Sequence, residues 1–65
     1  MNEKIKILRL PEVKARTGLG RSSIYAKVND GSFPKYINLG VRSVGWVESE
    51  VAQWIAERIQ QSRRQ

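Results

Sequence analysis

The spacing of apolar residues changes character along this chain, and each change marks an element. Leu10, Val13 and Thr17 recur at intervals of three and four, the repeat of one helix face. Pro11 suits the first position of that helix, where its missing N–H costs nothing, and Glu12 suits the positive end of the helix dipole. Gly18 is placed to close the helix as a C-cap. A second helix follows at once: Gly20 is an acceptable N-cap, Ser22 and Ser23 can satisfy first-turn donors, Ile24 and Val28 lie one turn apart, and Gly31 stops it after Asn29 and Asp30. Only Leu19 separates Gly18 from Gly20, and a lone apolar residue between two flexible ones plugs the angle between packed helices.

Beyond Phe33 and Pro34 the period shortens. Tyr36-Ile37-Asn38-Leu39 and Val44-Gly45-Trp46-Val47 are rich in strand formers and flank Gly40-Val41-Arg42-Ser43, which predicts a hairpin with an exposed basic tip. From Glu48 onward the helical repeat returns, with Val51, Trp54, Ile55 and Ile59 at i, i+3, i+4 and i+8. Glu48 and Glu50 begin this helix and Arg58, Arg63 and Arg64 lie toward its end, the order the helix dipole favours. At the N-terminus, Ile5, Ile7 and Arg9 alternate with Lys6, Leu8 and Leu10, giving a short strand or an extended lead-in. The order is then short strand, helix, turn, helix, hairpin, helix. This is an α+β fold, mostly α, with the architecture of a small winged helix-turn-helix.

Composition narrows what such a fold can do. A chain of 65 residues has room for one domain and buries only about 60% of its unfolded surface, so a deep catalytic cleft is not expected. There is no cysteine and no histidine, which removes disulfides, thiolate metal sites, the commonest zinc ligand and the commonest general base. Glu48 and Glu50, the closest carboxylate pair, point in different directions at a helix start, so capping and dipole interactions explain them better than acid–base chemistry. The expectation is a non-enzyme without metal, cofactor or small-molecule substrate. No apolar run reaches the ~18 residues that span a bilayer, and the first residues lack the apolar core of a signal peptide, which predicts a cytoplasmic protein without a membrane partner.

Charge points to a partner. Twelve Lys and Arg stand against six Asp and Glu, a net charge of +6, as expected of a nucleic-acid binder. From Lys14 to Arg42 there are six basic residues and one acid, Asp30, whereas Glu48 to Glu57 holds three acids and no base. The segregation predicts one positive face.

On the second helix, turning Ile24 and Val28 inward leaves Ser22, Ala26 and Asn29 opposite, with Ser23 close by and Arg21, Tyr25 and Lys27 flanking. Ser and Asn hydrogen-bond base edges or phosphates, an Ala methyl can meet a thymine methyl, and Arg and Lys reach phosphates. Tyr25 is open to two roles, phosphate contact or packing. In the hairpin, Arg42 with Ser43 at the tip and Lys35 near the base are the candidates for minor-groove or phosphate contact. A hairpin-tip cation also serves solubility. Trp46 and Trp54 are read as core aromatics rather than as stacking platforms.

Leu10-Pro11-Glu12-Val13, Arg16-Thr17-Gly18-Leu19, Arg21-Ser22-Ser23-Ile24-Tyr25, Gly31-Ser32-Phe33-Pro34, Leu39-Gly40, Val44-Gly45-Trp46 and Glu48-Ser49-Glu50-Val51 together resemble the AlpA family of phage and prophage regulators, which is related to phage excisionases and to MerR-type DNA-binding domains. The resemblance covers about residues 7 to 59, the core of a single domain spanning 1–65. It implies a bacterial, nucleoid-associated regulator of prophage or mobile-element genes, with its recognition helix on Arg21 to Asp30 and its wing on Tyr36 to Val47. Two positions depart from the family pattern: many relatives carry Ser where this chain has Gly20, and a basic residue where it has Ala26.

The function expected is sequence-specific binding of double-stranded DNA, with the second helix in the major groove and the wing on neighbouring backbone or minor groove. Partners in that setting are further copies on tandem sites, RNA polymerase or an integrase. One alternative is an excisionase-type DNA-bending factor. Another, of a different class, is a protein-interaction adaptor using the Val51, Trp54, Ile55 and Ile59 stripe, which a domain this small needs for its own core.

Overall fold

The computed structural model describes residues 4–64. It contains β1 (Ile7–Leu8), α1 (Leu10–Thr17), α2 (Arg21–Asp30), β2 (Ile37–Gly40), β3 (Ser43–Val47) and α3 (Glu48–Arg63). The strands form one antiparallel sheet in the order β1-β3-β2. No helix among the described residues is long and apolar enough to cross a membrane.

The expected glycines end both helices of the helix-turn-helix. Gly18 closes α1 at φ 75 and Gly31 closes α2 at φ 85, left-handed conformations that cost a residue with a Cβ energy. Gly20 is the extended N-cap of α2. The helix start near Pro11 shifts by one residue, since α1 begins at Leu10 with Arg9 as its N-cap, and Val13 N–H reaches the Arg9 carbonyl at 3.0 Å. Pro11 still falls within the first turn, where no N–H is required. Leu19 packs against the core from the turn, and its N–H donates to Thr17 Oγ1 at 3.2 Å while that hydroxyl donates to the Val13 carbonyl at 2.8 Å.

Leu8, Val13, Ile24, Val28, Phe33, Trp46 and Val51 form the buried core, so β1, α1, α2, the α2–β2 loop, β3 and α3 all contribute. Leu10, Leu19, Tyr25, Val44, Trp54 and Ile55 pack around it. Two sequence expectations are refined. The N-terminal strand is only two residues long, and Leu8, opposite Trp46 across β1 and β3, is its buried residue while Ile5 stays exposed. The apolar stripe of α3 ends at Ile55, because Ile59 is exposed. A helix of 16 residues is about 24 Å long, and its last turns extend past the body it packs on.

The hairpin is tighter than a four-residue turn. Gly40 pairs with Ser43, leaving Val41 and Arg42 as the tip, and the register is irregular between Asn38 and Gly40. In β3, alternation turns Trp46 to the core and Gly45 to the opposite face. A Cβ on Gly45 would collide with Ile7 Cγ2, stand 3.0 Å from Leu39 Cδ1 and lie 3.1 Å from the Leu8 carbonyl. Gly45 therefore lets both edge strands close on β3. Gly45→Ala is expected to destabilise the fold by about 1–3 kcal/mol through overpacking, measured as a lower denaturation midpoint in urea.

Candidate nucleic-acid interface

With Ile24 and Val28 buried, α2 exposes Ser22, Ser23, Ala26 and Asn29, the side the 100° repeat turns outward, together with the flanking Arg21. Lys27 is half-buried, and its backbone carbonyl accepts N–H bonds from Ser32 at 2.9 Å and Phe33 at 3.2 Å. The single acid of this segment is hydrogen-bonded locally: Asp30 Oδ1 accepts the Ser32 N–H at 2.9 Å, and hydrogen bonding with the Ser32 side chain, then with its backbone, holds the Asp30 carboxyl below its usual range.

Tyr25 is half-buried and meets two rings edge to face, Tyr36 at 5.9 Å and Trp46 at 6.1 Å between centroids. Tyr36 and Trp46 complete the triangle at 5.8 Å. The Tyr25 ring thus packs within the fold, and the Arg21 guanidinium lies over it, 5.5 Å from the centroid. Tyr36, which the sequence marked only as the start of a strand, is thus a joint between α2 and the wing. No periodicity signals it, because the partners lie on different elements.

Arg42 sits at the exposed tip with φ 56, a left-handed conformation in a residue with a Cβ. Such a conformation costs roughly 1–2 kcal/mol relative to the right-handed one. Val41 beside it is 90% exposed, and the Arg42 side chain is exposed as well. Ser43, half-buried, begins β3, and Lys35 is exposed. A cleft of about 500 Å³ between the end of α2 and the base of the wing is lined by Val28, Asn29, Gly31, Phe33, Lys35 and Tyr36.

Other charges bound this surface. Arg16, one of the six cations between Lys14 and Arg42, donates to Glu48 at 2.8 Å and lies 3.9 Å from Glu12, so it is neutralised within the fold. Between the Gly31 to Ile37 segment and α3 lies a groove of about 690 Å³ whose α3 wall is Glu50, Gln53, Trp54 and Glu57. Two carboxylates make that wall unsuited to a polyanion. Both tryptophans are taken up by structure: Trp46 Nε1–H donates to the Pro34 carbonyl at 3.0 Å and Trp54 Nε1–H to the Ser32 carbonyl at 2.6 Å. Neither is a free stacking platform.

A helix-turn-helix with a polar and basic second helix, joined to a hairpin with a cationic tip, defines a small winged helix-turn-helix. Comparison with known proteins agrees with that class. A sequence model of the family described as "Prophage CP4-57 regulatory protein (AlpA)" matches residues 6–59. The chain is 45% identical over 60 residues to the "DNA-binding transcriptional activator AlpA" of Escherichia coli (strain K12), covering 83% of this chain and 86% of that protein. It is 44% identical over 59 residues to the "Uncharacterized protein ORF88" of Enterobacteria phage P4, covering 91% of this chain and 67% of that one. The chain belongs to the AlpA family.

The left-handed Arg42 yields a prediction about stability. Arg42→Gly is expected to leave the fold as stable as the parent or up to about 1 kcal/mol more stable, because glycine occupies this region without a Cβ penalty. Thermal denaturation followed by far-UV circular dichroism checks it, and a clearly lower midpoint would show that the Arg42 side chain makes stabilising contacts.

Proposed function

We propose that this chain is a sequence-specific double-stranded DNA-binding regulator of prophage or mobile-element genes. The observation that carries the reading is the pairing, on one small body, of the exposed Arg21, Ser22, Ser23, Ala26 and Asn29 face with the Arg42 tip. The relative in Escherichia coli, named a DNA-binding transcriptional activator, supports it. In this scheme α2 enters the major groove, where Ser22, Ser23 and Asn29 meet base edges while Arg21 and Lys27 hold phosphates. The wing lies on neighbouring backbone or minor groove through Arg42, with Ser43 and Lys35 beside it.

Ala26 occupies the middle of the groove-facing side, so no long cation is available there for a bidentate guanine contact. Selectivity then rests on the short polar side chains, and phosphate contacts supply most of the affinity. Regulation on DNA brings in further copies on tandem sites, RNA polymerase or an integrase as partners. The adaptor alternative loses support in α3: Val51 is buried, Trp54 and Ile55 pack against the core, and only Ile59 of that stripe is exposed.

Binding to a duplex enriched from a random library, titrated at several salt concentrations, tests the proposal. The logarithm of affinity should fall steeply with the logarithm of salt, and Arg21→Ala, Lys27→Ala and Arg42→Ala should each reduce the slope by about one. If none of the three changes affinity, this surface is not the interface. Asn29→Ala and Ser22→Ala should instead relax base preference in a repeated selection, with a salt slope close to that of the parent.

A further inference from the structure

We infer that Tyr36 is a positioning residue that fixes the wing relative to α2, so that both reach DNA at once. The inference rests on the DNA-binding reading and adds a part to it. Three rings form a closed triangle, each pair edge to face with centroids 5.8 to 6.1 Å apart. Each ring belongs to a different segment: Tyr25 to α2, Trp46 to β3, and Tyr36 to the residue just before β2.

The three differ in how firmly they are held. Trp46 is fully buried and hydrogen-bonded to the Pro34 carbonyl, and Tyr25 is carried by a helix anchored through Ile24 and Val28. Tyr36 is 37% exposed, and β2, which it leads, contributes no buried residue. Apart from its ladder with β3, β2 thus has little apolar contact with the body, and the Tyr36 ring ties its base directly to α2. Edge-to-face pairs stabilise beyond the area they bury, which favours one wing orientation over its neighbours.

Function follows from geometry. Two contact elements on one rigid body bind as a linked pair, the second at the high effective concentration set by the first. Loosening the joint leaves each element intact but uncouples them. The Arg21 guanidinium over Tyr25 extends the same stack to a phosphate-contact candidate on α2.

Two measurements decide. The chain has no cysteine, so Ala26→Cys on α2 and Val41→Cys at the tip, both exposed positions, accept a spin-label pair in an otherwise unlabelled protein. The interlabel distance distribution should be narrow in the parent and with Tyr36→Phe, and clearly broader with Tyr36→Leu. Circular dichroism establishes that the variants are folded, and Tyr36→Met serves the same comparison if Tyr36→Leu melts early.

The second measurement is a double-mutant cycle on a duplex selected by the parent protein. Arg42→Ala should weaken binding about tenfold in the parent, the loss of one charge-assisted contact, and less than about twofold in the Tyr36→Leu background. Tyr36→Phe should bind within about twofold of the parent, since the ring and not the hydroxyl does the positioning. The inference is overturned if the distance distribution is unchanged by Tyr36→Leu, if Arg42→Ala costs the same factor in both backgrounds, or if Tyr36→Phe weakens binding as much as Tyr36→Leu. A parent protein that enriches no duplex would instead overturn the DNA-binding reading and this inference with it, whereas binding with additive losses overturns the inference alone.

Discussion

The burial of Trp46 is the constraint on which the rest of the structure depends. Its indole is fully buried, faces Leu8 across the β1–β3 ladder, meets Tyr25 of α2 and Tyr36 before β2, and donates its N–H to the carbonyl of Pro34. A tryptophan buries a large apolar area, and its one donor needs a partner away from water. Satisfying both demands draws the α2–β2 loop, the recognition-helix candidate and the wing around a single side chain. Gly45 beside it allows the two edge strands to approach from the other face.

Local helix signals are weak by comparison. The N-cap residues Arg9, Gly20 and Val47 make no side-chain capping hydrogen bond, and α1 and α2 have only 8 and 10 residues. Isolated helices shorter than about 12–15 residues are marginal in water. Their order therefore comes from Val13, Ile24 and Val28 in a shared core, with the Arg16–Glu48 ion pair joining α1 to the start of α3. That pair is partly exposed and contributes modestly to stability. It also offsets the charge of one exposed cation, while the hydrogen bonds at Ser32 occupy Asp30, the one acid of the basic segment.

The wing shows the opposite balance. Its tip places an arginine in a left-handed conformation and a valine almost fully in solvent, choices that do not favour stability. Strain of this kind persists where the surrounding structure enforces it, and it gathers at functional positions. The part of the domain organised by Trp46 thus carries a hairpin tip whose backbone is costly for the free protein.

Element order, the glycine stops at Gly18 and Gly31, the inward face of α2 and the basic hairpin tip were all legible in the sequence, because each depends on residues within one or two turns of each other. Family membership was legible for the same reason, through linked local motifs. The two-residue length of β1, the tightened turn at Val41 and Arg42, the exposure of Ile59 and the pairing of Arg16 with Glu48 were decided only in three dimensions. So was the part played by Tyr36, which depends on rings from α2, β3 and the start of the wing meeting at one point. Periodicity reports which side of an element is apolar, whereas the tertiary structure decides what stands opposite that side, and both the joint and the charge balance of this domain arise there.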